Sequence, residues 1–215
     1  MPEVPLEACF ISIPVERGVK GMYGQLVSDI AGVVGGFDGG SKAHITVGLM
    51  GSQPEKVIME VAETVRGCTD VLHGCVLKIS GLMAFYSRRD NICPRVLALS
   101  VGDPLGKLSY FRELLVGELG DLLTDTGAKF VPHVTLGRLP NLRAQTDFLS
   151  NRARVTAMVN GISANMSVSK VQVIGRYPNA DGPPYIAARK ISVHRRGPSY
   201  HEDGGFGDFY RRRSS

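Results

Sequence analysis

Tryptophan is absent, aromatic residues make up 7% of the 215 residues, and only four cysteines are present. Four are too few for a disulfide scaffold in a chain this long. Cys9, Cys68, Cys75 and Cys93 are therefore expected to stay reduced, as in the cytosol. No apolar run approaches the roughly 18 residues of a membrane-spanning helix, so no membrane association is expected. The chain begins Met-Pro-Glu and carries Glu3 and Glu7 with no basic stretch ahead of an apolar one, so a secretory signal is not expected either. Familiar catalytic and metal patterns are also lacking. Cys68, His73 and Cys75 match no usual zinc spacing and have no fourth ligand in reach. Nothing resembles a nucleophile elbow. Gly35 to Lys42 places Ser41 before Lys42 and leads into a strand, whereas a phosphate-binding loop needs Gly-Lys-Ser/Thr leading into a helix; a flexible loop is expected there. Neither a metal nor a cofactor is expected.

What is present is ordinary globular material: 43% hydrophobic and 21% charged residues, enough for a real core in one or two domains. The net charge is +5. From His194 onward five arginines face three acids, which puts +2 of it in the last 22 residues. The remaining +3 permits an anionic substrate without requiring one.

Short apolar runs alternate with helical patterns. Ala8 to Ile13 reads as a strand stopped by Pro14, and Met22, Leu26, Val27, Ile30 and Val33/Val34 recur at helical spacing. A second strand is expected over His44 to Met50. Ser52-Gln-Pro-Glu55 then reads as a capping box opening a helix with Val57, Ile58, Val61 and Val65 inward. Strands are expected over Cys75 to Tyr86, kinked near Gly81, and over Arg95 to Val101. Asp103-Pro104 starts a helix whose apolar face is Leu105, Leu108, Phe111, Leu115, Leu119 and Leu122. A strand from Phe130 to Leu139, a helical turn around Gln145 to Asn151, and strands Ser167 to Ile174 and Tyr185 to Val193 complete the order. The mixture predicts an α+β chain of two similar halves over residues 1–196. Residues 197–215 lose all periodicity and read as a basic, disordered tail.

The halves share one local sequence. Ala43-His44-Ile45-Thr46-Val47-Gly48 and Pro132-His133-Val134-Thr135-Leu136-Gly137 both contain His-x-Thr-(Val/Leu)-Gly, with the histidines 89 positions apart. On a strand, i and i+2 share a face, so each segment presents one imidazole beside one hydroxyl and turns Ile45 or Val134 to the core. With 8 Thr in the chain, a given His has about a 4% chance of a Thr two places on, and two such hits among five His is of order 1%. The duplication therefore carries weight that a single copy would not. Two His and two Thr meeting in one space suit phosphodiester transfer. A neutral His takes a proton, a protonated His gives one, and hydroxyls donate to the non-bridging oxygens.

The chain resembles the two-histidine (2H) phosphoesterase superfamily, which includes 2′-5′ RNA ligase-like proteins, cyclic phosphodiesterases and viral 2′,5′-phosphodiesterases. The resemblance rests on His44-Ile-Thr46-Val and His133-Val-Thr135-Leu, on Pro132, Arg138 and Tyr185, and on the strand Phe10-Ile-Ser-Ile-Pro14; it covers about residues 6–193. It implies a bilobal, pseudo-symmetric fold with two antiparallel sheets lining a central cleft and helices outside. It further implies His44 and His133 as acid and base in an order left open, and Thr46 and Thr135 as phosphate ligands. Phe85, Tyr185 and Arg138 are candidates for substrate binding at the rim. The expected function is metal-independent cleavage of a 2′-5′ phosphodiester or 2′,3′-cyclic phosphate of RNA, oligonucleotides or cyclic nucleotides. A viral factor degrading 2′-5′-oligoadenylate in a host cytoplasm and a housekeeping RNA-end processor both fit. The alternative is a noncatalytic RNA-binding or nucleotide-binding module that uses the same cleft and the basic tail. A cytoplasmic monomer is the expectation.

Overall fold

The computed structural model describes residues 5–40, 42–87, 90–127, 129–177 and 186–193. Nine strands form one antiparallel sheet: β1 (Leu6–Pro14), β2 (Asp38–Gly39), β3 (His44–Gln53), β4 (Val76–Ser87), β5 (Asp90–Gly102), β6 (His133–Arg138), β7 (Ser163–Ser167), β8 (Lys170–Arg176) and β9 (Ile186–Ser192). Their order is β7-β4-β5-β6-β3-β1-β8-β9, with the short β2 beside β6. The sheet divides at its middle into two four-stranded lobes, β9-β8-β1-β3 and β6-β5-β4-β7. Among the described residues, β3 and β6 are joined in the ladder by the pair Ile45↔Val134. The two sheets expected from the sequence are thus continuous through one pair of residues.

The helices are α1 (Arg17–Ala31), α2 (Glu55–Cys68), α3 (Lys107–Leu119), α4 (Leu142–Ser150) and α5 (Arg152–Asn160). Their apolar stripes cover one face of the sheet. Val19, Tyr23, Leu26 and Ile30 of α1, and Ile58, Val61, Ala62 and Val65 of α2, are buried there. The opposite face carries the histidine–threonine motifs. Among the described residues, no helix is long and apolar enough to cross a membrane.

Several expectations shift. The Ser52 capping box does not form, because β3 continues to Gln53 and Pro54 takes the N-cap position with no side-chain cap. Helix α3 starts at Lys107 after Gly106 at φ 67, so Leu105 lies outside it and is exposed, as Leu122 is in a following 3-10 turn. Asp103 still serves the helix, since the Ser109 backbone N–H donates to its Oδ2 at 2.8 Å. The strand expected from Phe130 starts at His133. The expected helical turn near Gln145 is two helices, α4 and α5, and the strand expected from Ser167 is the pair β7 and β8. Between Gly35 and Lys42, β2 pairs Asp38 with Arg138 and Gly39 with Gly137, so part of that loop is tied to the sheet. The tail lies outside the described residues.

Candidate active site

The two motifs lie on the adjoining central strands. Ile45 and Val134, the paired middle residues, are buried beneath. Continuing that antiparallel register one residue each way sets His44 beside Thr135 and Thr46 beside His133. Each strand then bulges at the same place. Ser12 and Ile11 of β1 oppose Thr46 and Gly48, skipping Val47; Ala98 and Leu97 of β5 oppose Thr135 and Gly137, skipping Leu136. A bulge reverses the alternation, so Leu49 and Arg138 return to the face that carries the histidines. The glycine of each motif admits a neighbour. A Cβ on Gly137 would lie 2.4 Å from the Asp38 carbonyl oxygen, and one on Gly48 would lie 3.1 Å from an Arg112 nitrogen.

Matching contacts hold the two rings. His44 Nδ1 is 3.0 Å from the Lys42 carbonyl oxygen, and His133 Nδ1 is 2.8 Å from that of Val131. A carbonyl only accepts, so both Nδ1 atoms carry hydrogen and donate, leaving both Nε2 atoms for chemistry. An aromatic ring covers each imidazole. Phe10 stacks on His44 at 5.2 Å and 25°, and Phe85 meets His133 at 4.5 Å and 53°. Burial lowers the His44 pKa below its ordinary value; its hydrogen bond to Lys42 opposes the shift, and the positive charges of His133 and Lys42 add to it. Both threonines are half-buried, and neither hydroxyl has a hydrogen-bond partner among the described residues.

A cleft of about 240 Å³ opens beside Thr46 and His133, lined also by Leu49, Phe85, Phe130, Val131, Lys129, Arg112 and Asp125. Its walls are mainly apolar, which suits a nucleobase, with a cation at the rim. Arg112 is buried and donates through Nη2 to Asp125 Oδ1 at 2.8 Å and to the Asp125 carbonyl at 3.2 Å. Asp125 Oδ1 also accepts from the Leu49 N–H. This pair ties the loop after α3 to the edge of β3 and so shapes one wall.

The register therefore sets His44 and Thr135 beside Thr46 and His133, of which Thr46 and His133 line the cleft and His44 and Thr135 do not, and Phe85 lies against His133. Arg138 is exposed, shares the face of the motifs through the Leu136 bulge and pairs with Val96, but it does not line the cleft. Tyr185 lies outside the described residues. Sequence reasoning missed Phe10, Phe130, Lys129, Arg112 and Asp125 as parts of the site. Phe10 had a usable signal, because strand alternation puts it on the face opposite Ile11 and Ile13. Arg112 had none, since it occupies the apolar stripe of α3 and its partner comes 13 residues later. Among the described residues, no three His, Cys, Asp or Glu side chains gather as a metal site requires.

No family model matches the chain, and no curated protein matches it in sequence. Its backbone does match solved structures. TT0787 of Thermus thermophilus superposes with a TM-score of 0.55 at 18% identity, covering 87% of this chain and 98% of that one. Escherichia coli LigT complexed with 3′-AMP gives 0.55 at 16% identity over 88% and 98% of the two chains. The MHV ns2 PDE domain gives 0.52 at 14% identity over 79% and 98%. At such identities the likeness establishes architecture, and that architecture agrees with the duplicated motif: the chain has the two-histidine phosphoesterase fold.

Proposed function

We propose that this chain is a phosphodiesterase that cleaves a 2′-5′ phosphodiester or a 2′,3′-cyclic phosphate of RNA or an oligonucleotide, with His44 and His133 exchanging the protons. The observation that carries the reading is the matched pair of Nδ1–carbonyl contacts on two adjoining strands, which leaves two like nitrogens free beside two unpartnered threonine hydroxyls, with His133 and Thr46 at the wall of the cleft. The complexes of Escherichia coli LigT with 3′-AMP and with ATP support a nucleotide ligand for a cleft of this fold.

Burial favours the neutral form of His44, which supports its assignment as the base. On a 2′-5′ linkage, His44 Nε2 takes the proton of the 3′-hydroxyl as its oxygen attacks phosphorus. The bond to the 5′-oxygen breaks, and His133 gives that oxygen its proton. The products are a 2′,3′-cyclic phosphate and a 5′-hydroxyl. On a cyclic phosphate, water is the attacking group and one ester bond of the ring opens. Thr46 and Thr135 donate to the non-bridging oxygens and hold the phosphorus in line.

Either His44→Ala or His133→Ala is expected to lower turnover by about 10²- to 10⁴-fold with unchanged circular dichroism, and EDTA is expected to leave the rate intact. The dependence of kcat/KM on pH is expected to be bell-shaped. Its acid limb falls below the ordinary histidine value of about 6.5, since His44 must be neutral to act. Full activity in either variant, or a rate flat from mildly acid to mildly alkaline pH, overturns the assignment. Tight oligonucleotide binding without any product would instead leave a binding module.

A further inference from the structure

The catalytic set is nearly symmetric, yet the sheet face around it is not. Residues directly opposite one another on neighbouring strands share a face, so the registers can be followed outward from each motif. In one lobe Thr46 opposes Ser12, Ser12 opposes Gln172, and Gln172 opposes Lys190. The next row runs from His44 to Pro14 and, two residues further along the β1–β8 register, to Lys170. In the other lobe the corresponding rows run from His133 to Ser100, Ser80 and Ser163, and from Thr135 to Ala98 and Met83. The rows traced through the first lobe thus end in two lysines, whereas those traced through the second are neutral, with Arg138 and Lys78 standing on that face outside them.

The lysine rows end in a real depression. A groove of about 320 Å³ is lined by Pro14, Arg17, Lys170, Gln172 and Lys190, with Glu16 as its one acid. Arg17, Lys170 and Lys190 are exposed, and none is in an ion pair with a described carboxylate. Alternation on β9 agrees with the placement: Arg189 turns to the helix side and donates to Met59 Sδ, while Lys190 faces the other way. Ser12, midway along the row, is fully buried with its hydroxyl unpartnered. At about 4.8 Å per strand, Lys170 stands roughly 10 Å from His44 and Lys190 roughly 14 Å from Thr46, measured between backbones.

We infer that this groove is a second phosphate-binding site, and that the substrate of the cleft is a single-stranded oligonucleotide whose further phosphates extend over the His44 lobe. A mononucleotide would fill the cleft alone and leave the lysines idle. The inference rests on the phosphodiesterase reading for the bond that is cut, but not for the binding of the strand.

The test compares the wild-type protein with the double variant Lys170→Gln/Lys190→Gln. The substrates are 2′,3′-cyclic AMP and a 2′-5′-linked adenylate trimer with a 5′-phosphate. The double variant is expected to lower the ratio of kcat/KM for the trimer to kcat/KM for the cyclic nucleotide by about tenfold. It is also expected to flatten the salt dependence of trimer binding by about 0.7 in log–log slope for each phosphate no longer neutralised. An unchanged ratio, or an equal fall in Lys56→Gln on the outer surface, overturns the inference. If the wild-type protein turns over neither substrate, the phosphodiesterase reading fails by itself. The groove is then judged by anisotropy of a fluorescein-labelled phosphorothioate trimer. Salt-sensitive binding that the double variant loses sustains the site, and no binding by the wild-type protein removes it.

Discussion

His44 ties the chemistry of the cleft to the stability of the protein. Burial holds its folded pKa below that of the unfolded chain, near 6.5. Between the two values the unfolded state binds the extra proton, so the stability contribution is complete above the unfolded value. It is lost as pH falls through the folded one. The thermal midpoint of the wild-type protein is therefore expected to drop more between pH 7 and pH 5 than that of His44→Gln; equal drops would assign the loss to other groups. Ser12 makes the opposite kind of prediction. It is fully buried beside Thr46 with an unpartnered hydroxyl, a situation that costs about 1–3 kcal/mol. Ser12→Ala is expected to keep or raise the thermal midpoint. A clear fall in calorimetry would mean that the hydroxyl is satisfied by bound water. At this scale the histidines and threonines were legible because duplication made them improbable by chance. Phe10 was harder to read, because alternation sets it on the face opposite Ile11 and Ile13 but an aromatic residue inside an apolar strand also reads as core, and only the stacking of its ring on His44 decides between them.

Among the elements, α3 carries the most consequential polar group. Arg112 lies on the buried stripe with Leu108, Phe111, Leu115 and Leu119, and its charge is compensated by Asp125 at 2.8 Å. Removing one partner of a buried pair leaves the other uncompensated, so Arg112→Ala is expected to cost about 3 kcal/mol in chemical denaturation. A loss below about 1 kcal/mol would mean that the pair behaves as an exposed surface bridge. Asp125 also accepts from Leu49, so the same variant is expected to loosen the wall of the cleft and raise KM. The helix itself was readable from its apolar spacing; the role of Arg112 was not, because a lone arginine among leucines has the same pattern as one that snorkels to solvent. Other elements escaped for want of apolar residues. Helix α5 buries only Val155 and Val159 of its nine residues, and β7, an edge strand of sequence SANMS, buries only Met166. Neither offers a stripe long enough to announce its period.

At the scale of the whole molecule, the paired motifs foretold two lobes but not how the chain weaves them. Lobe one takes β1 and β3 from one end of the chain and β8 and β9 from the other. The helices cross as well. Helix α1 follows β1 yet packs on β2, β6 and α5, while α3 follows β5 yet packs on β3 and α2. The Tyr23 hydroxyl of α1 reaches the Thr135 carbonyl at 2.8 Å, fastening a helix from one half beneath the motif of the other. A spacing of 89 residues says nothing about such an exchange, since each helix would show the same apolar stripe in either lobe. The exchange has a mechanical consequence. A single strand pair, Ile45↔Val134, would be a weak seam between independent lobes, but crossed helices make each lobe's core incomplete without the other. Unfolding is therefore expected to be one transition. The chain has no tryptophan, so each lobe accepts its own fluorescent reporter: Met59→Trp on α2 for the first and Tyr86→Trp on β4 for the second, both at exposed positions. The two urea curves are expected to share midpoint and slope. If the reporters melt separately, the helix crossing does not couple the lobes, and the two histidines are held in register by the central strand pair alone.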